Sequence, residues 1–243
     1  MCLTIIPEDE RSSLPLDTDE IIYHPDMIRA NEWILNEYEA PVKDFCIFVP
    51  CAKKKPYHES PSHKIFDKVI FDILDPEKVH IVVFGTCGIT PRELDTEYPF
   101  MDYQFMLGKC NVAKIKRDFI KMESKRLAEY LEKTRGSYKH RIAYCIGDFR
   151  KAMELAVEIS DVEVTIVPKQ ETINSHIQPD KKFIYGSLNQ KSYLQDFSDS
   201  LKEHVGDSDS SQNCLRSDYS GHEAITEDDE ENSGINDNDW YII

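Results

Sequence analysis

Three unbroken apolar runs decide what this chain can fold into: FCIFV within 44–49, IVVFG closing 78–85 and IAYCIG closing 141–147. A strand with one face in water alternates polar and apolar side chains, whereas a strand covered on both faces does not. VEVTIVP at 162–168 is a fourth strand, rich in β-branched residues. Between these runs the period becomes that of a helix. Pro25 opens a segment with Met27, Ile28, Trp33, Ile34, Leu35 and Tyr38 at helical spacing, ended by Pro41. Ile65, Phe66, Val69, Ile70 and Ile73 repeat in the same way. Residues 111–134 form a charged amphipathic helix with Val112, Ile115, Phe119, Met122 and Leu127 on its apolar side. A helix at 149–159 and a closing helix at 183–205 complete the pattern. Strands alternating with helices predict an α/β fold with a mainly parallel sheet.

Charge sets the domain limits. The chain has 243 residues and a net charge of −16. Eleven of its 45 acidic residues but only Arg216 of its 29 basic ones fall within 204–243. Residues 1–203 therefore carry 34 acidic and 28 basic side chains, a net of −6. The reading is an irregular acidic arm at 1–20, one α/β domain at 21–203 and a disordered acidic tail at 204–243. The overall field repels nucleic acid, while the local cluster Lys53, Lys54 and Lys55 attracts it.

Ligands of open α/β sheets bind beyond the carboxyl ends of the strands. PCAKKKPYHESPSH, residues 50–63, directly follows the first strand. It places a cysteine, three lysines, a tyrosine and two histidines there. TCGITPREL, residues 86–94, follows the second strand and opens a long loop reaching Lys109. Two loops rich in reactive groups are thus expected to meet over one edge of the sheet.

The first loop resembles the PC-x3-KPY-x2-S-x-SH motif of the archaeosine synthases, archaeal tRNA-modifying enzymes related to the tRNA-guanine transglycosylases. The match carries Pro50, Cys51, Lys55, Pro56, Tyr57, Ser60, Ser62 and His63. YHPDMIRANEWILNEYEAP, at 23–41, is similar to the segment preceding the motif in that family. GITPRELDTEYPFMDYQF, at 88–105, is similar to a later block, through Pro91, Arg92, Glu93, Leu94, Tyr98 and Pro99. The likeness runs over residues 22–170. It implies a three-layer α/β/α fold similar to the uracil-DNA glycosylase superfamily. It also implies lysine addition to the nitrile of 7-cyano-7-deazaguanine in tRNA, giving an amidine adduct that a radical S-adenosylmethionine partner then cleaves. The alternative is a non-catalytic subunit that binds tRNA or a partner synthase. Ala52 departs from the family, where serine is common. The transglycosylase-like barrel and RNA-binding PUA module of longer members have no counterpart in the sequence, so a partner chain is expected to supply them.

Each candidate residue carries two readings. Cys51 is the nucleophile toward the nitrile carbon, or a structural cysteine at a strand end. Lys55 lowers the thiol pKa, or binds phosphate. His63 moves protons to the amidine nitrogen, or Ser60 and Ser62 simply cap the helix it begins. Tyr57 stacks on the base, or packs beneath the loop. Arg92 grips a carboxylate or phosphate and Glu93 reads the donor edge of the base, or the two form a mutual ion pair. Tyr98 shapes the pocket, and Pro50, Pro56, Ser60 and Ser62 are counted with it among the substrate-binding residues. Seven cysteines without a CxxC pair point to a reducing, cytoplasmic setting, and no stretch reaches membrane-spanning length. No P-loop, metal-ligand spacing or CxxxCxxC run is present, so neither ATP use, a catalytic metal nor another cofactor is expected.

Overall fold

A computed structural model describes residues 5–18, 20–105, 107, 110–175 and 188–210. Its five strands are β1 (Lys43–Pro50), β2 (Val79–Gly85), β3 (Gly88–Pro91), β4 (Tyr138–Tyr144) and β5 (Thr165–Val167). They form one sheet in the order β3-β2-β1-β4-β5. β1 pairs in parallel with β2 and β4, and β4 with β5; only β3 runs antiparallel, at the edge. The six α-helices are α1 (Pro25–Asn36), α2 (Pro61–Phe71), α3 (Ala113–Lys133), α4 (Gly147–Ser160), α5 (Gln170–Ser175) and α6 (Lys191–Ser210).

Register and side-chain alternation fix the layers. Phe48 meets Tyr130 of α3 and Phe84 of β2, and Phe84 meets Phe149 of α4. Ala143 is the register partner of Phe48, so the next residue of β4, Tyr144, points to the other face. There it packs edge-on against Phe66 of α2 and stacks on Phe197 of α6. α3 and α4, with α1 against α3, therefore cover one face, and α2 and α6 the other. The result is the α/β/α layering expected of strands that are apolar on both sides.

The helix starts follow local chemistry. His24 caps α1 by accepting from the Asp26 N–H at 3.2 Å, with Pro25 in the first turn, where its missing N–H costs nothing. Ser60 caps α2 in the same way, accepting from the His63 N–H at 3.3 Å ahead of Pro61. The N-terminal arm is irregular apart from a short turn at Glu8–Glu10. It is tied down by the Arg29–Glu10 ion pair and by the Ser12 N–H bonded to Asp26.

Two features differ from the sequence reading. Residues 88–91, expected within a long loop, form β3. Four residues of the pattern Gly-Ile-Thr-Pro offer no periodicity to read, and proline is tolerated because this is an edge strand. α6 also continues to Ser210, past the expected start of the tail at 204; residues 211–243 of that tail and 183–187 of the expected closing helix lie outside the described residues. Among the described residues no helix is long and apolar enough to cross a membrane.

Candidate active site

The motif loop leaves the sheet at its carboxyl rim. The Cys51 N–H still bonds to the Phe84 carbonyl at 3.0 Å, so the residue is held in line with β1. Its side chain is buried, at 6% exposure, and lies against Gly85 at the end of β2. A Cβ on Gly85 would come within 2.4 Å of the Cys51 sulfur and 3.0 Å of the Phe149 ring. The thiol fits there only because residue 85 has no side chain. Thr86 Oγ1 lies 3.8 Å from the same sulfur and accepts the Leu107 N–H at 3.3 Å.

Thr86 and Cys87 form the tip of a tight β2–β3 hairpin closed by the Gly85–Gly88 pair. Gly88 has φ +94°, and a Cβ there would fall 2.0 Å from Asn31 Oδ1. Asn31, buried on α1, donates to the Cys87 carbonyl at 2.7 Å and to the Met27 carbonyl at 2.8 Å. It also accepts the Ile89 N–H at 2.9 Å. One amide thus holds the tip of the hairpin and its returning strand.

Lys55 folds back over this rim. Its ammonium donates to the carbonyls of Ala52 and Lys53 at 3.3 and 3.4 Å and sits 3.6 Å above the Tyr103 ring. Burial lowers its pKa, and the neighbouring Cys51 and Cys87 thiols pull it back up. Burial and the nearby Cys51 push the Cys87 thiol well up, with Lys55 opposing. Lys53 and Lys54 are exposed. Pro56 is buried beneath the loop. The Tyr57 hydroxyl bonds to that of Tyr103 at 2.7 Å, and its ring stacks on His63 with centroids 5.6 Å apart.

His63 is fully buried, and both ring nitrogens are occupied. Nδ1 accepts from the Arg92 guanidinium at 2.9 Å, which leaves Nε2 to donate to the Pro50 carbonyl at 3.0 Å. Burial, then the Arg92 charge, holds its pKa well below the ordinary histidine value. Arg92 in turn grips Asp67 with two bonds of 3.0 Å. The chain Asp67–Arg92–His63–Pro50 fixes the peptide immediately before Cys51, and Arg92 reaches the thiol only through it. The Ser62 hydroxyl lies 3.2 Å from that of the capping Ser60.

Arg92 and Glu93 part company. β3 ends at Pro91, and Arg92–Leu94 form a short 3-10 turn that sends Arg92 to Asp67 and His63 on α2 and Glu93 to the side of Tyr38 and His80. There Glu93 accepts from Tyr38 and lies 3.3 Å from His80 Nε2, while His80 Nδ1 bonds Tyr138 at 2.6 Å. Each residue therefore has its own partners, and the mutual ion pair between them does not form. Tyr98 donates to Asp26 at 2.6 Å and lies under Arg11, at the arm. Among the described residues no hydrogen bond or ion pair joins Glu93 or Tyr98 to the Cys51 loop.

The sequence reading passed over Gly85, Thr86, Asn31, Tyr103 and Glu123. Two signals were available. Two glycines bracketing Thr86 and Cys87 spell a two-residue hairpin. Glu123 falls four residues from both Phe119 and Leu127, so it stands on the apolar stripe of α3 rather than its charged side. It is 1% exposed, and among the described residues neither carboxylate oxygen has a hydrogen-bond partner.

The family model described as Domain of unknown function (DUF5591) matches residues 27–181. Archaeosine synthase subunit alpha of Thermoplasma acidophilum is 37% identical over 89 residues, 36% of this chain and 17% of that protein. The subunit alpha of Methanosarcina acetivorans is 30% identical over 161 residues, 65% of this chain and 24% of that protein. The archaeosine synthase of Haloferax volcanii is 25% identical over 161 residues, covering 65% and 26%. The chain thus spans about a quarter or less of the length of these relatives. A crystal structure of a protein of unknown function aligns with TM-score 0.48 at 16% identity, over 71% of this chain and 49% of that one. With the motif loop, the β2–β3 hairpin and α3 all inside the matched segment, the chain belongs to the DUF5591 family and is a relative of the archaeosine synthases.

Proposed function

We propose that the rim around Cys51 is a nitrile-addition site of archaeosine biosynthesis, which joins free lysine to the nitrile of 7-cyano-7-deazaguanine in tRNA. The observation that carries this reading is the seating of one thiol. Cys51 lies at a strand end against a glycine, with the Lys55 ammonium close enough to feel it, inside a loop that resembles the archaeosine synthase motif.

The chemistry has two steps. The Cys51 thiolate adds to the nitrile carbon; a C–S bond forms, and the displaced π pair on nitrogen takes up a proton, giving a thioimidate. The lysine amine then attacks the same carbon; a C–N bond forms, the C–S bond breaks, and the amidine leaves. A cation beside the sulfur stabilises the thiolate and the charge growing on nitrogen, which is the part given to Lys55. His63, with both nitrogens engaged, is a positioning residue: it aims the Pro50–Cys51 peptide, and burial and the Arg92 charge hold it in its neutral form. Tyr57 packs beneath the loop. tRNA docking, in the cytoplasm, is assigned to the exposed Lys53 and Lys54 and to a transglycosylase-like or PUA-containing partner chain, with a radical S-adenosylmethionine enzyme acting on the product.

The test is transfer of labelled lysine to tRNA carrying the cyano base. Label appears in the RNA with the wild-type chain and falls at least a hundredfold with Cys51→Ala; unchanged labelling by a folded Cys51→Ser variant removes the nucleophile. A second reading is a non-catalytic subunit, favoured by relatives that carry the name subunit alpha. It predicts tRNA binding without labelling.

A further inference from the structure

Glu123 lies beneath the hairpin that carries Cys87. Arg126, one turn on, is its one ionic neighbour among the described residues, at 3.7 Å, beyond hydrogen-bond reach. The Gly85 N–H faces the carboxylate without meeting hydrogen-bond geometry. Arg126 lies close enough to act on the Cys87 thiol as well. The charged group acting on Glu123 is therefore Arg126 on its own helix; the Cys87 thiol shares that arginine and is itself neighboured by Cys51 and Lys55. Gly85 joins the two sides: the Cys51 sulfur rests where its Cβ would be, and the carboxylate lies by its amide. A buried carboxylate with neither oxygen bonded costs stability, and such groups mark places where chemistry needs them.

We propose that Glu123 receives the proton given up by the attacking amine, reaching it from beneath the β2–β3 hairpin. The inference rests on the reading of Cys51 as the nucleophile. As the neutral amine bonds to the thioimidate carbon, one N–H proton passes to the carboxylate and the C–S pair returns to sulfur. The proton then moves from Glu123 to the Cys51 thiolate, so both groups are restored and the amidine departs neutral. Burial, opposed by Arg126, pushes this carboxyl up to about 7, where it both accepts and returns a proton near neutral pH.

The stability consequence separates this role from that of a prop. A carboxyl whose folded pKa is raised binds its proton more tightly in the folded state, so stability falls as pH rises from the ordinary glutamate value to about 7. Glu123→Gln removes that cost, and the variant should melt at the same temperature as wild type or higher at pH 8. The experiment loads the full chain with tRNA carrying the cyano base, detects the thioimidate by mass, then adds lysine and follows its discharge against pH. Glu123→Gln should load at the wild-type rate and discharge roughly a hundredfold or more slowly, and the rise in rate through pH about 7 should vanish. Loading in both proteins with equal discharge overturns the role of Glu123 alone, and slow discharge with a lowered melting temperature at pH 8 reduces it to packing. No thioimidate on wild type overturns the reading of Cys51, and this inference with it.

Discussion

Gly85 sets the tightest contact of the rim, since a methyl there would meet the Cys51 sulfur at 2.4 Å and the Cys51 Cβ at 2.8 Å. Both atoms belong to a residue whose backbone is pinned to Phe84, so neither can step aside. Gly85→Ala should cost about 1–3 kcal/mol, as overpacking does, and should change the iodoacetamide alkylation rate of Cys51. Calorimetry and timed mass spectrometry check the two effects; an alanine tolerated without either would show that the thiol is not confined. His63 gives a pH signature of opposite cause. Its folded pKa is depressed, so the unfolded chain takes up the proton first as pH drops. Its contribution to stability is complete above the ordinary histidine value of about 6.5 and is lost progressively below it. An NMR titration should find the His63 ring flat between pH 7 and 5.5; titration of His63 in that range would contradict the buried neutral tautomer.

At the level of elements, the hairpin depends on a helix far away in sequence. Asn31→Ala should leave the Cys87 carbonyl and Ile89 N–H unpaired, at about 1–3 kcal/mol each if neither finds water. Amide exchange at Ile89 should accelerate more than at Val82, a wild-type ratio counting against the clamp. β1, β2, β4 and β5 and the five longer described helices were legible because apolar runs, β-branched residues and helical spacing carry the signal. β3 was not, because its strand character comes from pairing with β2 rather than from its own residues. The same limit applied to the site. The Cys51 loop was placed by the rule of strand ends, and the Ser60 cap by residue type. The divergence of Arg92 from Glu93 belongs to the short helical turn that follows a strand the sequence hid. Asp67 and Asn31, the partners that matter, come from other elements, and no local pattern names them.

For the whole molecule, charge is the lever. Residues 211–243 hold nine acidic side chains and Arg216, so removing them takes the net charge from −16 to −8. A chain ending at Ser210 should bind tRNA more tightly at low salt, with the gain shrinking as salt screens it. Filter binding across a salt series reads this directly, and equal affinity at every concentration would clear the tail of any repulsive role. The sheet also has two unlike ends. At the amino ends of β1 and β4, a shallow cleft of about 310 Å³ lies between Lys43, Glu77, Lys78, Tyr138 and Lys139. Its Lys43 and Lys139 are already committed to the Glu77 carbonyl and to Asp44.

α1 precedes every strand, yet its Asn31 grips a turn some 56 residues downstream. Synthesis delivers the clasp long before there is anything to fasten. A fragment beginning at β1 would keep every rung of its ladder and still present a slack, gaping rim, so the fitness of the thiol's seat is decided by a helix outside the sheet altogether.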